Sequence, residues 1–126
     1  MTRTAKMNPE IKAKWLEWLR SAKYKQATGR LRTRENSFCC LGVLCTIHQR
    51  EAAGRWVLDS DGYSYTDSHE TEEGVLPAFV IDWAGLEDCA PEPILDYGSG
   101  LSASLSWLND HGMTFDEIAD LIEKQL

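Results

Sequence analysis

The run "SFCCLGVLCTIHQRE" is apolar on nearly every side from Phe38 to Ile47. A helix with that pattern has no face to offer water, so the rest of the chain must be arranged around it. Gly42, in its middle, marks a point of close packing. His48, near its polar end, reads as a surface group or a partner for the C-terminal helix dipole rather than a ligand.

The remaining elements are legible from local signals. In "MNPEIKAKWLEWLRSAKYK", Asn8 suits an N-cap, Pro9 the first helical position and Glu10 the positive end of the helix dipole. Ile11, Trp15, Trp18 and Leu19 recur at helical spacing to about Ser21. Residues 1–7 read as a disordered extension, with Met7 as a second start. "GRWVLDSDGYSYTDSHE" predicts a β-hairpin turning at "DSDG", with Tyr63 and Tyr65 on one face of its second strand. A short helix is expected between Pro77 and Gly85, then a short strand over Ile94–Tyr97. Leu101, Leu105 and Leu108 favour a helix ending near Gly112. Thr114 and Glu117 form a capping box for a terminal helix, Met113 and Ile118 a hydrophobic staple, and Phe115, Ile118, Ala119, Leu121 and Ile122 its buried stripe. The expected architecture is a single α+β domain over residues 8–126, helix-rich, with a small antiparallel hairpin sheet and a C-terminal amphipathic helix. A chain of 126 residues fits one such domain.

Several function classes find no support. The sequence has no apolar run of membrane-spanning length, and "MTRTAKMNPE" lacks the apolar stretch of a secretory signal. Cys39, Cys40, Cys45 and Cys89 offer neither a disulfide framework nor paired metal knuckles, and read as core thiols in a protein without cofactor or metal. There is no nucleophile elbow, no phosphate-binding glycine loop and no carboxylate pair at a telling spacing, so the expectation is a protein that is not an enzyme.

Charge is more informative. Residues 1–50 hold 11 of the 13 Lys and Arg and 3 of the 20 acids, a balance of +8 against −15 for residues 51–126. Such asymmetry means either that opposite halves fold onto each other or that a basic surface is kept for an anion. The basic side chains concentrate in "KYKQATGRLRTREN", where Lys23, Lys25, Arg30, Arg32 and Arg34 face one acid, Glu35. Around Gly29, backbone amides and arginine forks could hold phosphate, and in an extended segment the three arginines share one side. Tyr24, Tyr63 and Tyr65 are candidates for stacking on a base, with Trp56 a further ring from the hairpin. Duplex DNA is disfavoured, because a sequence pI near 4.9 leaves most of the surface repelling its backbone.

Taken together, "NPEIKAKWLEWLRSAKYKQATGRLR", "FCCLGVLC", "EEGVLPAFVIDWAGL" and "LNDHGMTFDEIADLIEKQL" resemble a family of small phage and prophage proteins. The resemblance implies an accessory protein of the bacterial host cytoplasm. In that setting it suggests a counter-defence factor, a homo-oligomer that sequesters a cyclic nucleotide or an ADP-ribose derivative used as an immune signal. Two alternatives stand beside it. One is an acidic inhibitor or nucleic-acid mimic acting on a host defence nuclease, with Glu70, Glu72 and Glu73 in its contact surface. The other is a structural or regulatory phage protein with no small ligand.

Overall fold

The computed structural model describes residues 7–126 apart from 68, 87, 88, 90 and 91. Its described helices are α1 (Pro9–Arg20), α2 (Cys40–Glu51), α3 (Ala78–Ala84), α4 (Leu105–Asp110) and α5 (Phe115–Gln125). The strands β1 (Arg55–Leu58), β2 (Tyr63–Thr66) and β3 (Thr71–Glu72) form one antiparallel sheet in that order, and β4 (Ile94–Gly98) pairs with β5 (Leu101–Ser104) in a second. This is the α+β domain the sequence predicts. Residues 1–6 lie outside the described residues, but Met7 is buried, so the domain begins at least one residue before the expected boundary.

α2 is the centre, packed against α1, α3 and α4. Cys40 to Cys45 are all buried, as the apolar run requires. No side chain of its own caps the helix. Instead Asn109, on α4, accepts the Cys40 amide at 3.1 Å and the Gln26 side-chain amide at 2.9 Å, while its own NH₂ donates to the Ala27 carbonyl at 2.7 Å. Gln26 also donates to the Met113 carbonyl at 2.8 Å and accepts from the Phe115 amide at 3.2 Å. The two amide side chains thus tie the basic segment to the starts of α2 and α5. Buried polar groups are tolerable only when satisfied in this way.

Gly42 is where α2 meets the segment before it. A Cβ there would lie 1.8 Å from the Leu31 carbonyl oxygen, a backbone atom that cannot swing aside. That carbonyl accepts the Cys39 amide at 3.2 Å, the Leu31 amide donates to the Glu73 carbonyl at 2.7 Å, and the Leu31 side chain is fully buried. The close packing read from Gly42 is therefore between a helix and a loop.

The hairpin β1–β2 turns at Ser60 and Asp61, where the Asp59 carboxylate accepts the amides of Asp61 and Gly62 at 2.8 and 3.1 Å. It covers α2 through Tyr65. The Tyr65 ring is fully buried and its hydroxyl lies 2.6 Å from Nδ1 of His48. His48 is thus a core residue, held among Tyr65, Phe79 and Trp83, and not the surface group expected from its place at the polar end of the run. The reason is that the hairpin and α3 fold over that end. A second departure follows Gly100: Leu101 is 54 % exposed on β5, and only Leu105 and Leu108 belong to a buried helical stripe. The Ser104 hydroxyl caps α4 by accepting the Trp107 amide, which starts the helix four residues later than expected. Pro77 and Gly85 bound α3 as predicted, with Gly85 in the left-handed region at φ 80°. The Thr114–Glu117 capping box of α5 is formed in both directions.

Among the described residues no helix is long and apolar enough to cross a membrane, and no group of three His, Cys, Asp or Glu side chains could hold a metal ion.

Gly42→Ala should lower stability by about 3 kcal/mol, since either the Leu31 backbone or α2 must shift. Urea denaturation measures it. A pH effect follows from His48, whose pKa is lowered by burial, with the charge of Asp67 acting weakly in the opposite direction. The unfolded chain takes up the proton first, so stability is complete above about pH 6.5 and is lost as pH falls toward the lowered folded value. Denaturation curves between about pH 7.5 and 5 should show this loss, and His48→Gln should flatten the dependence.

Candidate functional site

The basic segment is not one surface. Arg30, Arg32 and Arg34 do share a side, but that side faces the β1–β2 hairpin. Arg30 donates to the Tyr63 carbonyl at 3.1 Å and stands 3.7 Å from the Glu73 carboxylate. Arg34 donates to the carbonyls of Asp59 and Ser60 at 2.9 and 3.2 Å. The Arg32 guanidinium lies 3.9 Å over the Tyr63 ring, 5.2 Å from Phe38 and 5.3 Å from Trp56, and its Nε donates to Asn36 Oδ1 at 2.9 Å. Burial among those rings lowers its pKa. Each arginine thus clamps the hairpin, and the open phosphate cradle expected of the three is not formed.

Gly29 shows the same substitution of an internal partner for a ligand. Its amide, expected to face an anion, donates to the Asp110 carboxylate at 3.1 Å. Of the stacking candidates, Tyr65 has no face left for a base, because it is fully buried against His48 and Trp56. Tyr63 is half-buried beneath Arg32. Lys25 is exposed. The acids Glu70, Glu72 and Glu73 are similarly engaged: the Glu70 carboxylate accepts the Ala78 amide at the start of α3, Glu73 stands by Arg30, and burial together with its two neighbours raises the pKa of Glu72.

Two predicted residues, Lys23 and Tyr24, come together with others that sequence reasoning missed. A cavity of about 270 Å³ is lined by Glu17, Trp18, Ser21, Lys23, Tyr24 and Arg50. It lies between the last turns of α1 and α2. Trp18 and Tyr24 stack at 5.5 Å with 15° between their planes, and the Arg50 guanidinium sits 5.2 Å from the Trp18 ring. Burial raises the Tyr24 pKa, partly offset by the charge of Arg50. Two cations and one acid border the cavity, beside a rigid aromatic pair. Trp18 reads in sequence as one more apolar position of a helix, and Arg50 as a charge in a last turn, so no local signal joins them.

This arrangement holds no paired nucleophile and base; the Ser21 hydroxyl donates to the Trp18 carbonyl at 2.8 Å. What it presents is two cations, Lys23 and Arg50, next to the stacked Trp18 and Tyr24 rings. A larger cavity, about 840 Å³, runs between Met7–Pro9, Trp83–Gly85 and Lys124–Leu126.

Arg32→Ala should destabilise the fold by roughly 2 kcal/mol, through lost ring contacts and an uncovered hairpin, whereas Lys25→Ala should stay within about 0.5 kcal/mol; paired denaturation curves measure both. No curated protein and no solved structure matches the chain. One family model matches residues 7–126, nearly all of the chain and all of its described elements. The chain therefore belongs to the family described as a domain of unknown function, DUF8296.

Proposed function

We propose that the protein binds a phosphate-bearing nucleotide without transforming it, in the cavity between the ends of α1 and α2, and so withdraws it from solution. The observation that carries this reading is the convergence of Lys23 and Arg50 on one cavity beside the stacked Trp18 and Tyr24. The cations would hold phosphate, Arg50 through its planar fork, and the aromatic pair would border a base. Glu17, at the rim, suits a ribose hydroxyl or an exocyclic amine. The resemblance to small phage and prophage proteins supplies a setting, the cytoplasm of an infected bacterium. There, sequestering a cyclic nucleotide or an ADP-ribose derivative would blunt an immune signal.

At about 270 Å³ the cavity falls below the ~300–1,000 Å³ usual for small-molecule sites. It suits a phosphate with part of its nucleoside, so enclosing a dinucleotide would take a second copy of the chain. That supports a homo-oligomer as the working form.

Binding is to be measured by calorimetry or native mass spectrometry against a panel of cyclic dinucleotides, cyclic mononucleotides and ADP-ribose derivatives. Lys23→Glu and Arg50→Glu should each weaken binding at least about tenfold, the loss of one charge-assisted contact, and higher salt should weaken it further. Unlike changes at Arg30 or Arg32, they leave the hairpin clamp intact, so lost affinity can be separated from lost fold. A panel with no member bound would overturn the proposal.

A further inference from the structure

β1 is an edge strand, and its outer side is open. The Asp59 amide donates to the Gly62 carbonyl at 2.8 Å, which makes residues 59 and 62 a hydrogen-bonded pair. The register continues as Leu58 with Tyr63, Val57 with Ser64, Trp56 with Tyr65 and Arg55 with Thr66. Antiparallel ladders alternate, so Arg55 and Val57 spend their backbone groups on β2 while Trp56 and Leu58 turn theirs outward. The Tyr63 amide agrees with this alternation, since it points away from β1 and donates to the Arg32 carbonyl at 3.1 Å. Among the described residues nothing pairs with the outward groups of Trp56 and Leu58. The strand also exposes Val57 at 44 % and Leu58 at 52 %, and carries no proline, lysine or bulge to discourage pairing.

We infer that a second copy of this chain adds to the sheet here, β1 against β1 in antiparallel order, about a two-fold axis at Val57. That register sets Trp56 opposite Leu58 of the second copy, and the reverse, so that the outward groups form four hydrogen bonds. It sets Val57 against its own counterpart in a non-hydrogen-bonded position, where side chains approach most closely. It also sets Arg55 opposite Asp59 of the second copy, twice over. Arg55, Val57 and Asp59 share one face of the strand. Arg55 has no ion pair or hydrogen bond from its side chain among the described residues, and the Asp59 carboxylate is engaged through Oδ1 alone. The surface is self-complementary in backbone, apolar contact and charge, as a two-fold interface must be. Other registers lose one of the three: an axis between residues 56 and 57, or between 57 and 58, opposes outward groups to inward ones.

A four-residue ribbon covers less than the roughly 800 Å² per partner of a standard interface, so the dimer should be weak and concentration-dependent. The inference does not rest on the ligand reading, and its test uses no nucleotide. Sedimentation equilibrium of the ligand-free full chain over about 10 to 500 µM should show mass rising from 14.2 kDa toward twice that value. Val57→Lys, which places like charges across the axis, and Arg55→Glu, which opposes Asp59, should each hold the chain at the monomer mass with unchanged thermal midpoints. In the wild type, exchange of the Trp56 and Leu58 amides should slow as concentration rises. A monomer throughout the range overturns the inference, as does a dimer that persists in both variants or leaves those two amides unprotected.

Discussion

The contact on which this fold turns is between a carbonyl and a missing side chain. Leu31 brings its backbone against α2 at Gly42, where any Cβ would overlap its oxygen. The same residue donates to Glu73 and accepts from Cys39, so a segment without regular structure is fixed on both sides. From that position Arg30, Arg32 and Arg34 reach the hairpin, and the hairpin in turn closes over His48 and Tyr65. The central helix lacks a cap of its own and takes one from Asn109, late in the chain. Local order in α2 therefore depends on residues far from it in sequence, which fits its role as the element that everything else surrounds.

What could be read from the sequence was what local chemistry decides. Asn8, Pro9, Pro77, Gly85, Thr114 and Glu117 mark helix ends with signals contained within a few residues, and the structure uses each of them. The apolar run and the hairpin turn are local in the same sense. What could not be read was choice of partner. Gly42 announces a close approach without saying to what. The alternation of three arginines announces a common side, while the identity of that side, hairpin or solvent, is a matter of tertiary packing. His48 and Leu101 depart from expectation for one reason: whether a helix end or a strand is covered depends on elements elsewhere. No local signal joins Trp18 to Arg50, because the cavity unites two helix ends that lie far apart along the chain.

Of the two readings of the charge asymmetry, the structure shows mutual neutralisation. Arg20 bridges to Asp120 and Glu123, Lys14 to Glu51, Arg30 stands by Glu73, and the Gly29 amide meets Asp110, so the acidic and basic halves do fold onto each other. Apart from Lys14, Arg20 and Arg30, the described Lys and Arg side chains have no ion-pair partner among the described residues. Lys23 and Arg50, two of those left over, are the cations of the small cavity. The functional reading thus rests on what mutual neutralisation leaves over, a smaller and more specific residue than the total charge.

The thiols of the central helix carry a consequence for the protein's lifetime. Cys39, Cys40 and Cys45 are almost wholly enclosed, and burial pushes the Cys39 thiol up to about 12 and the other two well above their ordinary value. Thiolate is the reactive form, so in the closed fold these sulfurs are inert to oxidants and alkylating reagents. Any opening that lifts the surrounding elements from α2 exposes all three at once, and a group added there has no room to be enclosed again. Modification of these three thiols is then gated by opening, and a molecule whose thiol is irreversibly modified while open cannot close around it again.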